Sequence, residues 1–467
     1  MGTVPARNII RGYGSDKRPL VRVLLQRDSK PLDVALRDTG NHDPAHPYVD
    51  YLRYYDPVYA QVEVDKVWMK TWVYVAREED LPQVGDRIPI QIASRSFFIV
   101  RSGDDEFKAF FNSCLHRGTQ LCHRPQSAES IVCPFHAWEW KLDGSLKRIP
   151  GHWDFPSVTH QNASLREARL DRWGGFIFIN ADANAPPLQE ALGVVPAHFG
   201  NFPLDKRYTA AHFRKLVACN WKVLQEAFFE SYHVFGTHPE AVRFSGDSQT
   251  QYDVWKTQHG RVGRQIVPSA VPSMLAPADA SSLEAARMYA QVVVQCHYPG
   301  ADLPTLDAEG DLRAQLAAWT RDLYARKYRR KIHLPDAEMI DSVMYHIFPN
   351  MAVWLSEYVP LAYQFLPHER DPELAYFDVR MLLPVPEGDP IPVAAPRVDI
   401  GVGETICEKA PAFSFVASIL DQDMSNLPLV QAGTKSADPT RRFSTLGNYQ
   451  EILIQHWHEA HDQYMST

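Results

Sequence analysis

The sequence predicts an α+β protein: a small all-β domain over roughly residues 62–180, followed by an antiparallel sheet with helices gathered beside it. Three observations predict this. Between Trp72 and Ile179, short apolar segments are separated by turn signals. Ala185-Pro186-Pro187 then marks a link. Beyond it, helical spacing at Asn220–Phe235, 411–433 and 446–464 brackets strand-like alternation at 340–383.

Taken in order, residues 1–61 are mixed and weakly patterned, and are assigned to a segment packed on the second domain, residues 181–467. Met1-Gly2-Thr3-Val4-Pro5-Ala6-Arg7 is followed by no apolar stretch of signal-peptide type, and Ala6 stands where a myristoylation signal carries Ser or Thr. In the first domain, Ile88–Ile92, Ser96–Val100, Phe107–Asn112, Ile131–Cys133 and Trp138–Leu142 read as strands, with a hairpin turn at Asp143-Gly144. Trp173–Ile179 reads as one further strand. In the second domain, Asn220–Phe235 contains no Pro or Gly and reads as a single helix closed by Gly236 and Pro239.

Composition narrows the function classes. A chain of 467 residues, 45% hydrophobic and 22% charged, fits two or three packed domains. Its net charge of -8 is spread along the chain and lacks the basic footprint of a nucleic-acid binder. No apolar run is long enough to span a membrane, so a cytoplasmic protein is expected. Its six cysteines are then read as metal ligands or buried thiols rather than disulfides.

Two cysteines sit in paired motifs. Cys114-Leu115-His116-Arg117-Gly118 is C-x-H, and Cys133-Pro134-Phe135-His136-Ala137-Trp138 is C-x-x-H. Each follows a predicted strand, so two loop tips could bring two thiolates and two imidazoles together. Such a donor set suits zinc or an iron–sulfur cluster. Zinc fingers usually keep cysteines in one knuckle and histidines in the other. One Cys and one His per knuckle suits a cluster with two Cys on one iron and two His on the other. The halves resemble the Rieske patterns C-x-H-R-G and C-P-x-H. Respiratory Rieske proteins carry an extra cysteine pair, which would fall at Thr119 and Phe135, so the resemblance is to the oxygenase type. Cys122 is read as a buried thiol.

A second set lies downstream. Glu226, Glu230 and His233 are spaced to share one helical face, and His238 follows Gly236. Two His and one carboxylate on one side of a metal make a non-heme iron site with open positions. The segment from Asn220-Trp221-Lys222 to His238 resembles the Rieske oxygenase motif. That resemblance implies His233 and His238 as iron ligands and Glu230 as the acid bridging the two metal centres, although the best-known ring-hydroxylating members carry Asp there. Asp421-Gln422-Asp423 with Gln431-Ala432-Gly433 resembles the family's late acidic helix and implies Asp423 as third ligand, with Asp421 as alternative. The resemblance covers 65–240 well and 411–433 fairly; 240–340 matches no pattern.

The resemblance implies a Rieske [2Fe-2S] domain before a helix-grip, START-like catalytic domain with mononuclear Fe(II). It further implies O2 as co-substrate, electrons from NAD(P)H through a separate reductase or ferredoxin, and a homotrimer, with or without a β subunit. In that trimer His136 of one chain would reach Glu230 and then His233 of the next. The expected reaction is hydroxylation of an apolar, aromatic compound; the alternatives are monooxygenation or demethylation of a non-aromatic substrate, an electron carrier without catalysis, or a structural zinc protein. Phe229, Met344, Phe348, Asn350, Val353 and Trp354 are the candidate pocket residues. His456-Trp457-His458-Glu459-Ala460-His461 lacks metalloprotease spacing and is read as an ordinary helix face.

Overall fold

The computed structural model describes residues 20–159 and 161–467; the opening heptapeptide lies outside them. Strands β1 (Val73–Arg77), β2 (Asp86–Ile92), β3 (Arg95–Gly103), β4 (Glu106–Phe111) and β5 (Gln126–Ser127) join β9 (Glu167–Trp173) and β10 (Phe176–Asn180) in one sheet, ordered β1-β10-β9-β4-β3-β2-β5. A small sheet of β6 (Ile131–Val132), β7 (Glu139–Trp140) and β8 (Leu146–Arg148) sits beside it. Phe98, Phe110, Trp138 and Trp140 pack between these layers, with Cys114 and Cys133 in the same cluster.

The expected single strand at Trp173–Ile179 is two strands. Gly174 and Gly175 adopt φ of 60° and 78° and turn the chain into the β9–β10 hairpin. Two consecutive left-handed residues favour glycine at both positions, which the strand-like composition around them conceals.

The larger sheet has eight strands: β11 (Arg207–Val217), β12 (Gln251–Thr257), β13 (Gly260–Val267), β14 (Ser342–Ile347), β15 (Met351–Trp354), β16 (Leu361–Pro367), β17 (Ala375–Pro384) and β18 (Val398–Ile400). Their order is β12-β13-β14-β15-β16-β17-β11-β18. Every pairing is antiparallel except β11 with β18. The unpatterned stretch 240–340 supplies the β12–β13 hairpin and the helices Ser282–His297 and Leu312–Tyr328. Residues preceding the first sheet pack on this larger sheet: Asn41 exchanges backbone hydrogen bonds with Val254, and Arg264 donates to the Ala35 and Asp38 carbonyls.

The expected helix Asn220–Phe235 is also divided. Asn220 caps a helix over Trp221–Glu226 by accepting from the Lys222 N–H at 3.0 Å. The helix stops there because the chain finds better partners outside it. Ser231 N–H donates to the Tyr252 hydroxyl, and the His233 N–H is taken by the Glu230 carboxylate. Glu226 is thereby separated from the face that carries Glu230 and His233.

Glu226 instead joins a buried network. Its carboxylate accepts from the Tyr54 hydroxyl at 2.8 Å and from His458 Nε2 at 2.7 Å. Arg53 donates to His458 Nδ1, which leaves the proton on Nε2. Burial pushes Glu226 up to about 7. Beside it Glu63 accepts from Lys222, Trp221 and His461. Burial opposes its charge, yet Lys222 and His461 hold Glu63 down at about 2. The histidines of the C-terminal helix, Ile452–Ser466, are thus packed and hydrogen-bonded; the expected start at 446 is not helical.

Candidate metal centres

The first centre is built from two loops with the same backbone pattern. Cys114 N–H donates to the Thr119 carbonyl at 2.8 Å, and Gly118 N–H returns to the Cys114 carbonyl at 2.9 Å. In the second loop Cys133 N–H donates to Trp138 at 2.8 Å, and Ala137 N–H to Cys133 at 3.0 Å. Gly118 and Ala137 turn each loop with φ of 78° and 55°. Both thiols are buried and meet one another. Burial raises Cys114; at Cys133 burial is outweighed by the Phe135 and His136 backbone amides and the Cys114 thiol, which lower it. The imidazoles form a second pair, with Nδ1 of His116 3.2 Å from Nδ1 of His136. Trp138 stacks on His116 at 5.1 Å and fixes its plane.

This arrangement separates the two metal readings. A single tetrahedral zinc draws four donor atoms to one point, with bonds of about 2.0–2.3 Å. Among the described residues, the one group of three or more His, Cys, Asp or Glu whose ligand atoms lie within 4.8 Å of one another is His233, His238 and Asp423. The four knuckle residues are therefore two pairs and not one knot. Sulfurs together and nitrogens together fit a two-iron cluster with a different ligand type on each iron.

The second centre gathers residues from distant segments. His233 lies just before the short helix Val234–Thr237, and His238 just after it. Asp423 comes from the helix Ser414–Lys435, where 411–433 was expected. Its Oδ1 is 3.1 Å from His238 Nε2 and 3.6 Å from His233 Nε2. Each imidazole is oriented by an acceptor at its other nitrogen. His233 Nδ1 donates to Glu230 at 2.8 Å, and His238 Nδ1 donates to Gln422 at 2.6 Å. Both Nε2 lone pairs are thereby turned inward, which is what a metal bound between two histidines and a carboxylate requires. Burial opposes charge on His233, but Glu230 and Asp423 raise it to about 9, so a metal there displaces a proton. Gln422 is in turn held by its own donation to Glu240 at 2.7 Å.

Asp421 is occupied elsewhere: it accepts from the Ile406 and Cys407 N–H groups at 2.7 and 2.9 Å. Gln422 went unnoticed in the sequence, because its partner His238 lies 184 positions away.

A cavity of about 190 Å³ opens from the second centre. His233, His238 and Asp423 form one end; Phe228, Trp354, Tyr363 and Phe415 supply aromatic wall. Of the expected pocket residues, Met344 and Trp354 line it. The other four do not. Val353 follows the strand's alternation to the opposite sheet face, where it joins a different core cluster. Asn350 exchanges hydrogen bonds with the Tyr74 backbone. Phe229 packs on His346, and Phe348 on Trp457 and Tyr464, farther along the sheet.

Fold and site together define a two-centre metalloprotein, with a small β domain bearing a cluster motif and a sheet-and-helix domain bearing a facial metal triad. A family model described as "Ring hydroxylating alpha subunit (catalytic domain)" matches residues 197–467, and one described as "Rieske [2Fe-2S] domain" matches 71–159. The chain belongs to the Rieske oxygenase alpha-subunit family.

The carnitine monooxygenase oxygenase subunit of Escherichia coli (strain K12) is 31% identical over 232 residues, 49% of this chain and 61% of that protein. The glycine betaine monooxygenase oxygenase subunit of Chromohalobacter salexigens is 28% identical over 47% of this chain and 48% of its own length. The N,N-dimethyl phenylurea N-demethylase subunit alpha of a Sphingobium species is 28% identical over 43% of this chain and 46% of its own. The match thus spans between about half and six tenths of these relatives. Among solved structures, the quaternary ammonium Rieske monooxygenase CntA with L-carnitine superposes with a TM-score of 0.58 at 19% identity, covering 91% of this chain and 97% of that one. Naphthalene 1,2-dioxygenase from Rhodococcus sp. with indole gives 0.58 at 18%, covering 90% and 94%. Both likenesses concern the fold. Among the described residues no helix is long and apolar enough to cross a membrane.

Proposed function

We propose that this chain is the oxygenase component of a Rieske monooxygenase or demethylase acting on a small N-methylated compound. The observation that carries it is the His233, His238 and Asp423 triad opening on an aromatic-walled cavity. The relatives at 28–31% identity are named as monooxygenases or a demethylase, which favours this over aromatic dihydroxylation. The expectation of an aromatic hydrocarbon substrate is replaced accordingly.

In this reading residues 62–180 hold the [2Fe-2S] cluster through Cys114, His116, Cys133 and His136. Residues 181–467 hold Fe(II) through His233, His238 and Asp423, and 1–61 brace the second domain. When bound, the cluster supplies electrons singly and the iron supplies dioxygen activation. Glu230 and Gln422 keep both imidazoles in the tautomer that presents Nε2. The apolar wall excludes bulk water and holds the substrate against the triad. The net change is substrate, O2, NAD(P)H and a proton going to oxidised product, water and NAD(P)+, with a separate reductase or ferredoxin delivering the electrons. In this reading Glu230 also accepts a second imidazole, His136 of a neighbouring copy, in a homotrimer. The half-buried His136 stands among the exposed side chains Leu115, Val132 and Phe135, and Tyr232 and Phe235 are exposed beside His233.

The test supplies iron-loaded protein, a surrogate reductase, NADH and 18O2 with carnitine, glycine betaine, N,N-dimethyl phenylurea and naphthalene. Oxidation of an N-methyl compound with one labelled atom in the products supports the proposal. A doubly labelled cis-diol from naphthalene, with no N-methyl compound consumed, overturns it.

A further inference from the structure

A cationic groove of about 610 Å³ lies against the loop of Cys114 and His116. It is walled by the start of β3, the end of β4, Arg166 just before β9 and the chain that leaves β10. Its floor is fastened to that loop. Asn112 accepts from the Leu121 and Cys122 N–H groups at 2.8 and 2.9 Å, and its Nδ2 donates to the Ser96 hydroxyl at 3.1 Å. Ser113, also in the wall, directly precedes Cys114.

The wall is positive in a chain whose net charge is -8. Among its described residues Lys70, Arg95 and Arg166 stand against one carboxylate, Asp182. Lys70 pairs with Asp182 and Arg95 with Asp65, each at 2.8 Å, but on exposed side chains, where such pairs are weak. Arg166 lies over the Phe111 ring at 4.7 Å and forms no ion pair among the described residues. Arg169 reaches the rim and donates to the Ala185 carbonyl at 2.6 Å. The neighbouring Glu167 is held by Lys108 at 3.1 Å. Four cations thus face two carboxylates, an arrangement that steers an acidic partner. Lys70, Arg95 and Arg166 are all exposed, so a small anion here would stay in water. Exposed charges raise the rate of encounter more than the affinity, which suits the small, transient interfaces of electron-transfer proteins. The longest basic run, Arg326 to Lys331, lies instead on the second domain, where Asp322 and Asp389 take Arg326 and Arg329.

We propose that this groove is the docking site for an acidic protein that passes single electrons to the cluster of this chain, with Arg95 and Arg166 as its steering cations. One electron leaves the donor's reduced centre and enters the oxidised cluster; no bond forms or breaks, and no proton moves. The inference rests on the proposed function only in taking the electrons to come from a separate protein.

The probe is an acidic plant-type [2Fe-2S] ferredoxin, a stronger reductant than a Rieske cluster. Reduced ferredoxin is mixed anaerobically with the full-length, cluster-loaded protein, and bleaching of the Rieske spectrum is followed. For the parent, the second-order rate constant should fall at least about tenfold between about 20 and about 200 mM salt. Arg95→Glu combined with Arg166→Glu should lower it at least about tenfold at low salt and flatten the salt dependence. Binding of labelled, oxidised ferredoxin, read by fluorescence anisotropy without any electron transfer, should weaken in step. Reduction by a zwitterionic viologen of no net charge should keep the parental rate. Arg166→Ala should show a loss of about threefold, and it serves where double charge reversal disturbs folding. Arg329→Glu combined with Arg330→Glu should behave as the parent. A parental rate independent of salt, full speed in the Arg95 and Arg166 variant, or an equal loss in the Arg329 and Arg330 variant overturns the proposal. So does loss of the parental oligomer mass in the Arg95 and Arg166 variant, which would assign the groove to contact between copies. Failure of the Rieske reading appears separately, as a protein with no chromophore for either donor to bleach.

Discussion

Glu230 holds His233 twice: its carboxylate accepts the His233 backbone N–H at 2.9 Å and the Nδ1 proton at 2.8 Å. One bond closes the turn, and the other sets the tautomer. Glu230→Gln retains a single acceptor oxygen and sets an NH2 donor where the second acceptor was. Both metals should still bind and the cluster should still be reduced by dithionite, while product formation falls at least about 10–100-fold. Rapid-mix spectra of the cluster, set beside product yield, read this. Near-parental turnover would remove the bridging role, and loss of iron would show that His233 needs the charged carboxylate behind it to hold the metal.

Gln422 does for His238 what Glu230 does for His233, but as a neutral acceptor. Gln422→Leu removes that acceptor without touching a ligand atom. Affinity for Fe(II) should drop about 10–100-fold, with the [2Fe-2S] content unchanged. Iron titration of the stripped protein measures it, and unchanged affinity would show that His238 needs no such support.

The two centres draw on separate sheets, so their losses should be separable. The intact chain should carry about three irons and about two acid-labile sulfides. His233→Ala should lose about one iron and all activity yet retain the visible spectrum; Cys133→Ser should lose the chromophore. Zinc as the dominant metal would end the assignment, and bleaching by His233→Ala would refute the separation.

Glu226 gives a pH signature of its own. Its folded pKa of about 7 stands above the ordinary 4.5, so the folded chain holds this proton more tightly than the unfolded one. The sign follows: this group's contribution is fully present below about 4.5 and is lost as pH rises through about 7. Glu226→Gln removes the loss. Between pH 5 and 8 the stability difference should move in the variant's favour by about 2–3 kcal/mol, from 1.36 kcal/mol per pK unit. Denaturant melts at both pH values test this, and a difference independent of pH would assign the titration elsewhere.

The knuckle residues were legible because each Cys and His pair lies within one loop of five or six residues. Asp423 was legible only through its resemblance to a late acidic helix; geometry then parts it from Asp421, whose carboxylate caps another helix. The break after Glu226 left no mark in the sequence, since no Pro or Gly produces it. Tyr252, 21 positions on in the next hairpin, takes the Ser231 N–H instead. Only two of the six expected pocket residues line the cavity, in part for a simpler reason. Val353 and Trp354 are adjacent on one strand, and alternation allows only one of them to face the cavity.

The helix Ser414–Lys435 carries both cavity wall and metal ligand. Ile419 and Leu420 line the cavity, and Asp423 follows them at i+4 and i+3, on the same flank one turn away. Farther along, Gln431 ties the helix to Asn220 and to Tyr54. Redesign for bulkier compounds is therefore constrained at this wall: side chains trimmed at Ile419 or Leu420 loosen the support of the third ligand as they enlarge the chamber. The sheet wall at Met344 and Trp354 carries no ligand, and it is there that the range of accepted molecules can be altered while the iron stays where it is.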